Sequence, residues 1–172
     1  PFFHAEHRRP GASVDTFQNA STTNAAGQPG LQPYKSGRKP STVSPNGAWL
    51  PATPYHAIKD NVEHGLHTLC LLDIKADTAG MDGGDEFMTA QEAVGILKRL
   101  EDQEEHGVID YDTPLIIVQD LTGPDQQIWW GDIGSASDFS GTTPLHSLII
   151  PASLHDKEEE MLGLVSSDQT LR

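Results

Sequence analysis

The chain has 172 residues, with 25 Asp and Glu against 11 Lys and Arg and a net charge of −14. That length suits one domain or two small ones. The acidic excess argues against non-specific nucleic-acid binding and against an anionic membrane surface, both of which need a basic footprint.

Residues 1–50 read as turns, punctuated by Pro10, Gly11, Gly27, Pro29, Gly30, Pro33, Gly37, Pro40, Pro45 and Gly47. Within them "SVDTFQNA", Ser13 to Ala20, suits one short strand, and "STTNAAG" suits one or two helical turns closed by Gly27. "LPATPYHAIKDNVEHG" predicts a helix, with Thr53 as N-cap, Pro54 at the first helical position and Gly65 just past the end. Tyr55, Ile58 and Val62 share a face of it. Thr68 to Ile74 then reads as a buried strand that ends on Asp73 and Lys75. "FMTAQEAVGILKRLEDQEEHG" predicts the next helix: Thr89 and Glu92 have capping-box spacing, and Ala93, Ile96, Leu97 and Leu100 recur at helical intervals.

"TPLIIVQDL" is a second apolar strand and "QQIWWGDI" a third, with turn residues Gly123 and Pro124 between them. "LHSLIIPA" is a fourth. "SLHDKEEEMLGLV" is a closing helix with Ser153 as its cap, and "SSDQTLR" is a tail. Strands alternating with helices indicate an α/β layer with a largely buried sheet. Ligands of such sheets bind beyond strand ends. Asp73 therefore either lines a site or, with Lys75, only solvates the strand's exit. Trp129 and Trp130 point to opposite faces of their strand, so one is either exposed for a partner or packed under a helix like the other.

Apolar residues make up 36%, below the usual ~45–50%. A salt-rich cytoplasm and an ordinary acidic protein both account for the charge. The single cysteine, Cys70, lies inside an apolar run, which marks a core residue rather than a nucleophile and fits a reducing compartment. No apolar stretch approaches the ~18 residues of a membrane span. "PFFHAEHRRP" lacks the apolar middle of a signal peptide. The expected location is the cytoplasm. Position 1 is Pro1 rather than Met, so the chain is expected to begin partway into a gene product.

No GxGxxG follows a strand, and GxxxxGK[ST], HExxH and GxSxG are missing. "GMDGGDEF" reads as a turn, and the Asn19-Ala20-Ser21 glycosylation triplet as a chance match. The HxxH pairs His4/His7 and His64/His67 are weak metal signals, and no metal is expected.

Several segments are distinctive together: "NASTTNAAGQPGLQPYKSG", "NGAWLPATPYHAIKDNVEHG", "GLHTLCLLDIK", "EFMTAQEAVGILKRLED" and "PLHSLIIPASLHDKEEEMLGL". In order and spacing they resemble the diphthine synthase family, methyltransferases of the tetrapyrrole-methylase fold, over about residues 17–165. The resemblance implies transfer of methyl groups from S-adenosylmethionine to a modified histidine of translation elongation factor 2, on the path to diphthamide. It implies a homodimer and a donor cleft between two α/β domains. On it, residues 1–45 look like a remnant of the N-terminal domain and linker, 46–165 like the C-terminal α/β methylase domain, and 166–172 like a tail. "HAEHRR" is similar to the end of the family's first domain. A non-catalytic homologue that keeps only the fold and dimer interface is the alternative.

Carried over by motif, the donor-binding positions are Ser21, Thr22, Leu72, Leu121 and His146, and no catalytic residue is implied. The sequence departs from the pattern at several of them. Leu121 stands where the family has a small Ala, Asp120 replaces an Arg, and Gly123 comes one position late, which predicts a local bulge. Gln18 replaces a His, and Thr22-Thr23 replaces larger apolar residues. The family's opening strand and Gly-Asp-Pro loop are not in the sequence, apart from Pro1 as its last letter.

Overall fold

The computed structural model describes residues 27, 29–47, 49–75, 85–121 and 123–169. In chain order its elements are β1 (Ser41–Thr42), α1 (Thr53–Glu63), β2 (Thr68–Leu72), β3 (Ile74–Lys75), β4 (Glu86–Phe87), α2 (Ala90–Glu104), β5 (Pro114–Gln119), β6 (Gln127–Asp132), β7 (His146–Ile150) and α3 (Asp156–Gln169). The strand expected at Ser13 to Ala20 and the helical turns expected from Ser21 lie outside the described residues.

The main sheet has the order β1-β2-β7-β5-β6, and β3 pairs with β4 apart from it. Among the described strands only β1 and β2 run parallel; β2–β7, β7–β5 and β5–β6 are antiparallel. The fold is the expected α/β layer, with a mixed and chiefly antiparallel sheet. The short connection from β5 to β6 holds no helix, and a short connection returns the chain antiparallel.

Side-chain alternation divides the core between the two faces. Cys70, Leu115, Ile117, Leu148 and Ile150 pack with Tyr55 and Ile58 of α1 and with Ala93, Ile96, Leu97 and Leu100 of α2. Leu69, Ile116, Val118 and Ile149 pack with Leu31 and with Leu162 of α3. Burial on both faces explains why β2, β5 and β7 are mostly apolar, with polar residues only at their ends. Trp129 and Trp130 divide the same way and both are half-buried, one against each cluster. No helix among the described residues is long and apolar enough to cross a membrane.

The helix ends follow local chemistry, with two corrections. Thr53 is the first helical residue of α1 rather than its cap; Ala52 takes the cap position, and its methyl can accept nothing. At the other end Gly65 (φ 68°) donates to the Val62 carbonyl and Leu66 to the Asn61 carbonyl, a Schellman closure. Ser153 does not cap α3; its carbonyl accepts from Lys35 Nζ at 2.8 Å, and the helix starts at Asp156. That helix continues through Gln169, four residues into the expected tail, since no Gly or Pro stops it there. The capping box of α2 is formed, with Glu92 N–H donating to Thr89 Oγ1 at 3.2 Å and Thr89 N–H to Glu92 Oε2 at 2.7 Å.

Val62 is 42% exposed, and Asn61 takes the inward place instead. The Asn61 amide accepts from Arg38 N–H at 3.0 Å and donates to the Arg38 carbonyl and to Thr68 Oγ1, both at 2.9 Å. It thereby fastens the segment before β1 to α1 and β2. Asn61→Ala is expected to destabilise by about 1–3 kcal/mol, because polar groups at that junction lose their partner. An unchanged urea midpoint would refute that role.

Candidate functional site

One row of residues crosses the sheet at the end where β2 and β5 finish and β7 begins. Thr42 is opposite Leu72, and Gln119 is opposite both His146 and Gln127. Leu71 pairs with Ser147, so Leu72 and His146 are neighbours on the same face, toward α2. Leu72 is half-buried against the α1–α2 cluster.

His146 is 6% exposed. Its Nδ1 accepts from Ala90 N–H, at the start of α2, at 3.1 Å. Its Nε2 lies 3.3 Å from Gln119 Oε1. An accepting Nδ1 and a donating Nε2–H describe a neutral imidazole. The Phe139 ring meets it edge-on at 5.5 Å. Burial pushes its pKa below the usual histidine value, with the Thr143 backbone acting in the opposite sense. The positive end of the α2 dipole favours the same neutral form.

Gln119, missed by motif reading, completes this node. Its Oε1 also accepts from Thr143 N–H at 3.2 Å, and its Nε2 donates to the Asp125 carbonyl at 2.9 Å. A polar side chain closing the otherwise apolar run "LIIVQ" was its only sequence signal.

Asp73 is tied to backbone: its carboxylate accepts from Ser44 N–H at 3.0 Å, and its carbonyl from Met88 N–H at 3.0 Å. Lys75 reaches Glu86 at 3.8 Å, and both side chains are largely exposed.

Leu121 does not join the row of Leu72 and His146. Asp120 adopts φ 44°, which breaks the strand alternation, and Leu121 packs against the buried cluster on the α3 face, as do Leu71, Ile128, Trp130 and Leu154. The Asp120 N–H donates to the Leu145 carbonyl at 2.8 Å, and its side chain accepts from Asp125 N–H at 2.9 Å. Leu72 and Leu121 thus close their strands at the same end of the sheet, one on each face. Ser21 and Thr22 lie outside the described residues.

Two other candidates resolve as structure. Cys70 is fully buried, and burial pushes its thiol up to about 12, against the smaller effect of the Thr42 hydroxyl. Such a thiol is protonated and unreactive at neutral pH. His64 and His67 do not converge. His64 is exposed and sits 2.6 Å from the Asp60 carbonyl, whereas His67 is buried beside Glu158. His4 and His7 lie outside the described residues.

No family model matches the chain. A diphthine synthase of Methanocaldococcus jannaschii is 38% identical over 157 residues, which are 91% of this chain and 60% of that protein. The diphthine methyl ester synthase of Yarrowia lipolytica is 34% identical over 171 residues, 94% of this chain and 57% of that protein. The crystal structure of an Entamoeba histolytica protein, provisionally assigned as a diphthine synthase, superposes with a TM-score of 0.79 at 30% identity, over 95% of this chain and 64% of that one. The chain is a diphthine synthase homologue. It spans about 60% of the length of these relatives. A crystal structure of diphthine synthase at 22% identity and a TM-score of 0.68 shares the fold. The segments that resembled the diphthine synthases fall on α1, β2, α2, β7 and α3, so the resemblance takes in two adjacent strands of the sheet and helices on both its faces.

Proposed function

We propose that the protein containing this chain is an S-adenosylmethionine-dependent methyltransferase of diphthamide biosynthesis, acting on the modified histidine of translation elongation factor 2. The observation that carries this reading is the 38% identity to the M. jannaschii diphthine synthase over 157 residues.

The donor is proposed to lie across the sheet end described above, against Leu72, His146 and Leu121, with Ser21 and Thr22 completing its contacts. The residues fit such a group. Leu72 offers a half-buried apolar surface, and His146 beside it is neutral, so it does not repel a sulfonium cation. When bound, S-adenosylmethionine supplies an electrophilic methyl group. The chain's part is to orient and to exclude water. The bonds of His146 to Ala90 N–H and Gln119 hold the mouth of β7 against α2, so the wall that Leu72 and His146 form does not shift. No side chain is assigned as a general base.

A homodimer belongs to the same proposal and is supported by the exposed apolar side chains Trp49, Ile74 and Phe87. A cytoplasmic location follows from the proposed substrate. The test incubates the protein containing this chain with methyl-labelled donor and elongation factor 2 bearing the unmethylated intermediate. Label on the modified histidine is expected. Donor binding without label on elongation factor 2 would overturn the assignment.

A further inference from the structure

Three side chains with metal-ligating atoms meet where the start of α1 approaches the end of α2. His56 lies in the first turn of α1, Glu104 is the last residue of α2, and His106 follows two residues later. Their ligating atoms all lie within 4.8 Å of one another. His56 Nε2 is 2.9 Å from Glu104 Oε2. These two residues are 48 positions apart, so no spacing motif reveals them.

The scaffold beneath them is fixed. Tyr55, the chain neighbour of His56, is fully buried. Its hydroxyl donates to Glu101 Oε2 at 2.9 Å and accepts from His106 N–H at 3.2 Å. The Tyr55 and His106 rings stack with centroids 6.1 Å apart. Glu101 also accepts from the N–H groups of Gly107, Val108 and Ile109, which pins the loop carrying His106. Gln103 Nε2 donates to the second oxygen of Glu104 at 3.1 Å. Outer contacts of this kind orient the groups that would bind a metal.

We propose that His56, Glu104 and His106 bind a divalent transition metal of the zinc class, with a fourth position open to water. Two imidazoles and one carboxylate form a borderline donor set, which selects Zn²⁺ and its neighbours over Mg²⁺ and Ca²⁺, cations that prefer oxygen alone. Zinc–ligand bonds of about 2.0–2.2 Å place tetrahedral ligands roughly 3.3 Å apart. His56 and Glu104 are already near that separation, and the exposed His106 closes the remainder by side-chain rotation. On binding, the metal takes the Nε2 lone pair of His56, and the single imidazole proton resides on Nδ1. The metal would clip α1 to the loop after α2.

Calorimetric titration of Zn²⁺ into the 172-residue chain tests the site. The comparison chains are His56→Gln, His106→Gln and Glu104→Gln, with His64→Gln as an exposed control outside the triad. Affinity is expected to fall about tenfold or more in each triad variant and to stay unchanged in the control. Zn²⁺ should also raise the melting temperature of the parent and not of the triad variants. Metal-free melts verify that each variant is folded, and the two remaining variants decide the matter where one is not. No saturable uptake by the parent, or parent-like affinity in any folded triad variant, would overturn the proposal.

Discussion

Glu158→Ala is expected to lower the unfolding free energy by about 3–5 kcal/mol, the range for removing one partner of a buried charged cluster. The Glu158 side chain is fully buried in α3. Its carboxylate accepts from Gln32 N–H at 2.9 Å, His155 N–H at 2.8 Å and His67 Nε2 at 3.1 Å, and Lys35 Nζ lies 3.4 Å away. Nδ1 of His67 accepts from Ala152 N–H at 3.1 Å, so its Nε2 carries the proton donated to Glu158. One carboxylate thus ties the segment at Gln32 and Lys35, the entry to β2 and the first turn of α3. Alanine leaves two buried donors and a lysine without it. The melting temperature should fall by roughly 6–20 °C, at roughly 2–4 °C per kcal/mol for a chain of this size. A loss below about 1 kcal/mol would mean that water replaces the carboxylate and that α3 does not depend on it.

The same node gives stability a pH dependence of definite sign. Burial pushes His67 below the usual histidine value, outweighing its contact with Glu158, and burial does the same to His146. As pH falls below about 6.5 the unfolded chain takes up these protons first. Stability from both histidines is therefore full above that value and is lost as pH falls toward their folded values. Burial works against the Glu158 carboxylate, but Gln32 N–H, His155 N–H and His67 together hold it below the usual range. Its contribution is full above about 4.3 and is lost as pH falls through its lower folded value. Urea unfolding should show stability declining in two stages on acidification. A flat profile between about pH 7 and pH 5 would contradict the neutral, buried state of both histidines.

Leu148→Ala is expected to cost about 2–5 kcal/mol, the range for emptying a well-packed leucine site. Leu148 is fully buried in the central strand, opposite Cys70 of β2 and Ile117 of β5. Neighbours on both sides belong to paired strands, so the cavity has little freedom to collapse. The same strand carries His146 two residues earlier on the same face, so the variant also tests how firmly the proposed donor wall is held. Chemical denaturation checks the stability loss. A cost below about 1 kcal/mol would show that α2 settles into the space.

Much of this protein is local and therefore legible in its sequence. The capping box of Thr89 and Glu92 satisfies donors three residues away, and it forms as its spacing implies. The Schellman end at Gly65 follows from one residue that tolerates positive φ. The apolar runs of β2, β5 and β7 announce strands covered on both faces, and the motif order announces the diphthine synthases. Pairing over long separations was decided only in three dimensions. β7 enters between β2 and β5, which makes the sheet chiefly antiparallel although helices alternate with strands along the chain. Periodicity put Val62 inward, but Asn61 is buried there because Arg38 and Thr68, distant in sequence, supply its partners. Leu121 should follow the alternation of β5, but the left-handed Asp120 turns it to the α3 face. Glu158 reads as one acid in a charged run, yet it is fully buried because donors from three separate segments converge on it. Backbone propensity and capping act within a few residues, so sequence determines them. The environment of a polar side chain depends on which distant segments reach it, and only the packed structure sets that.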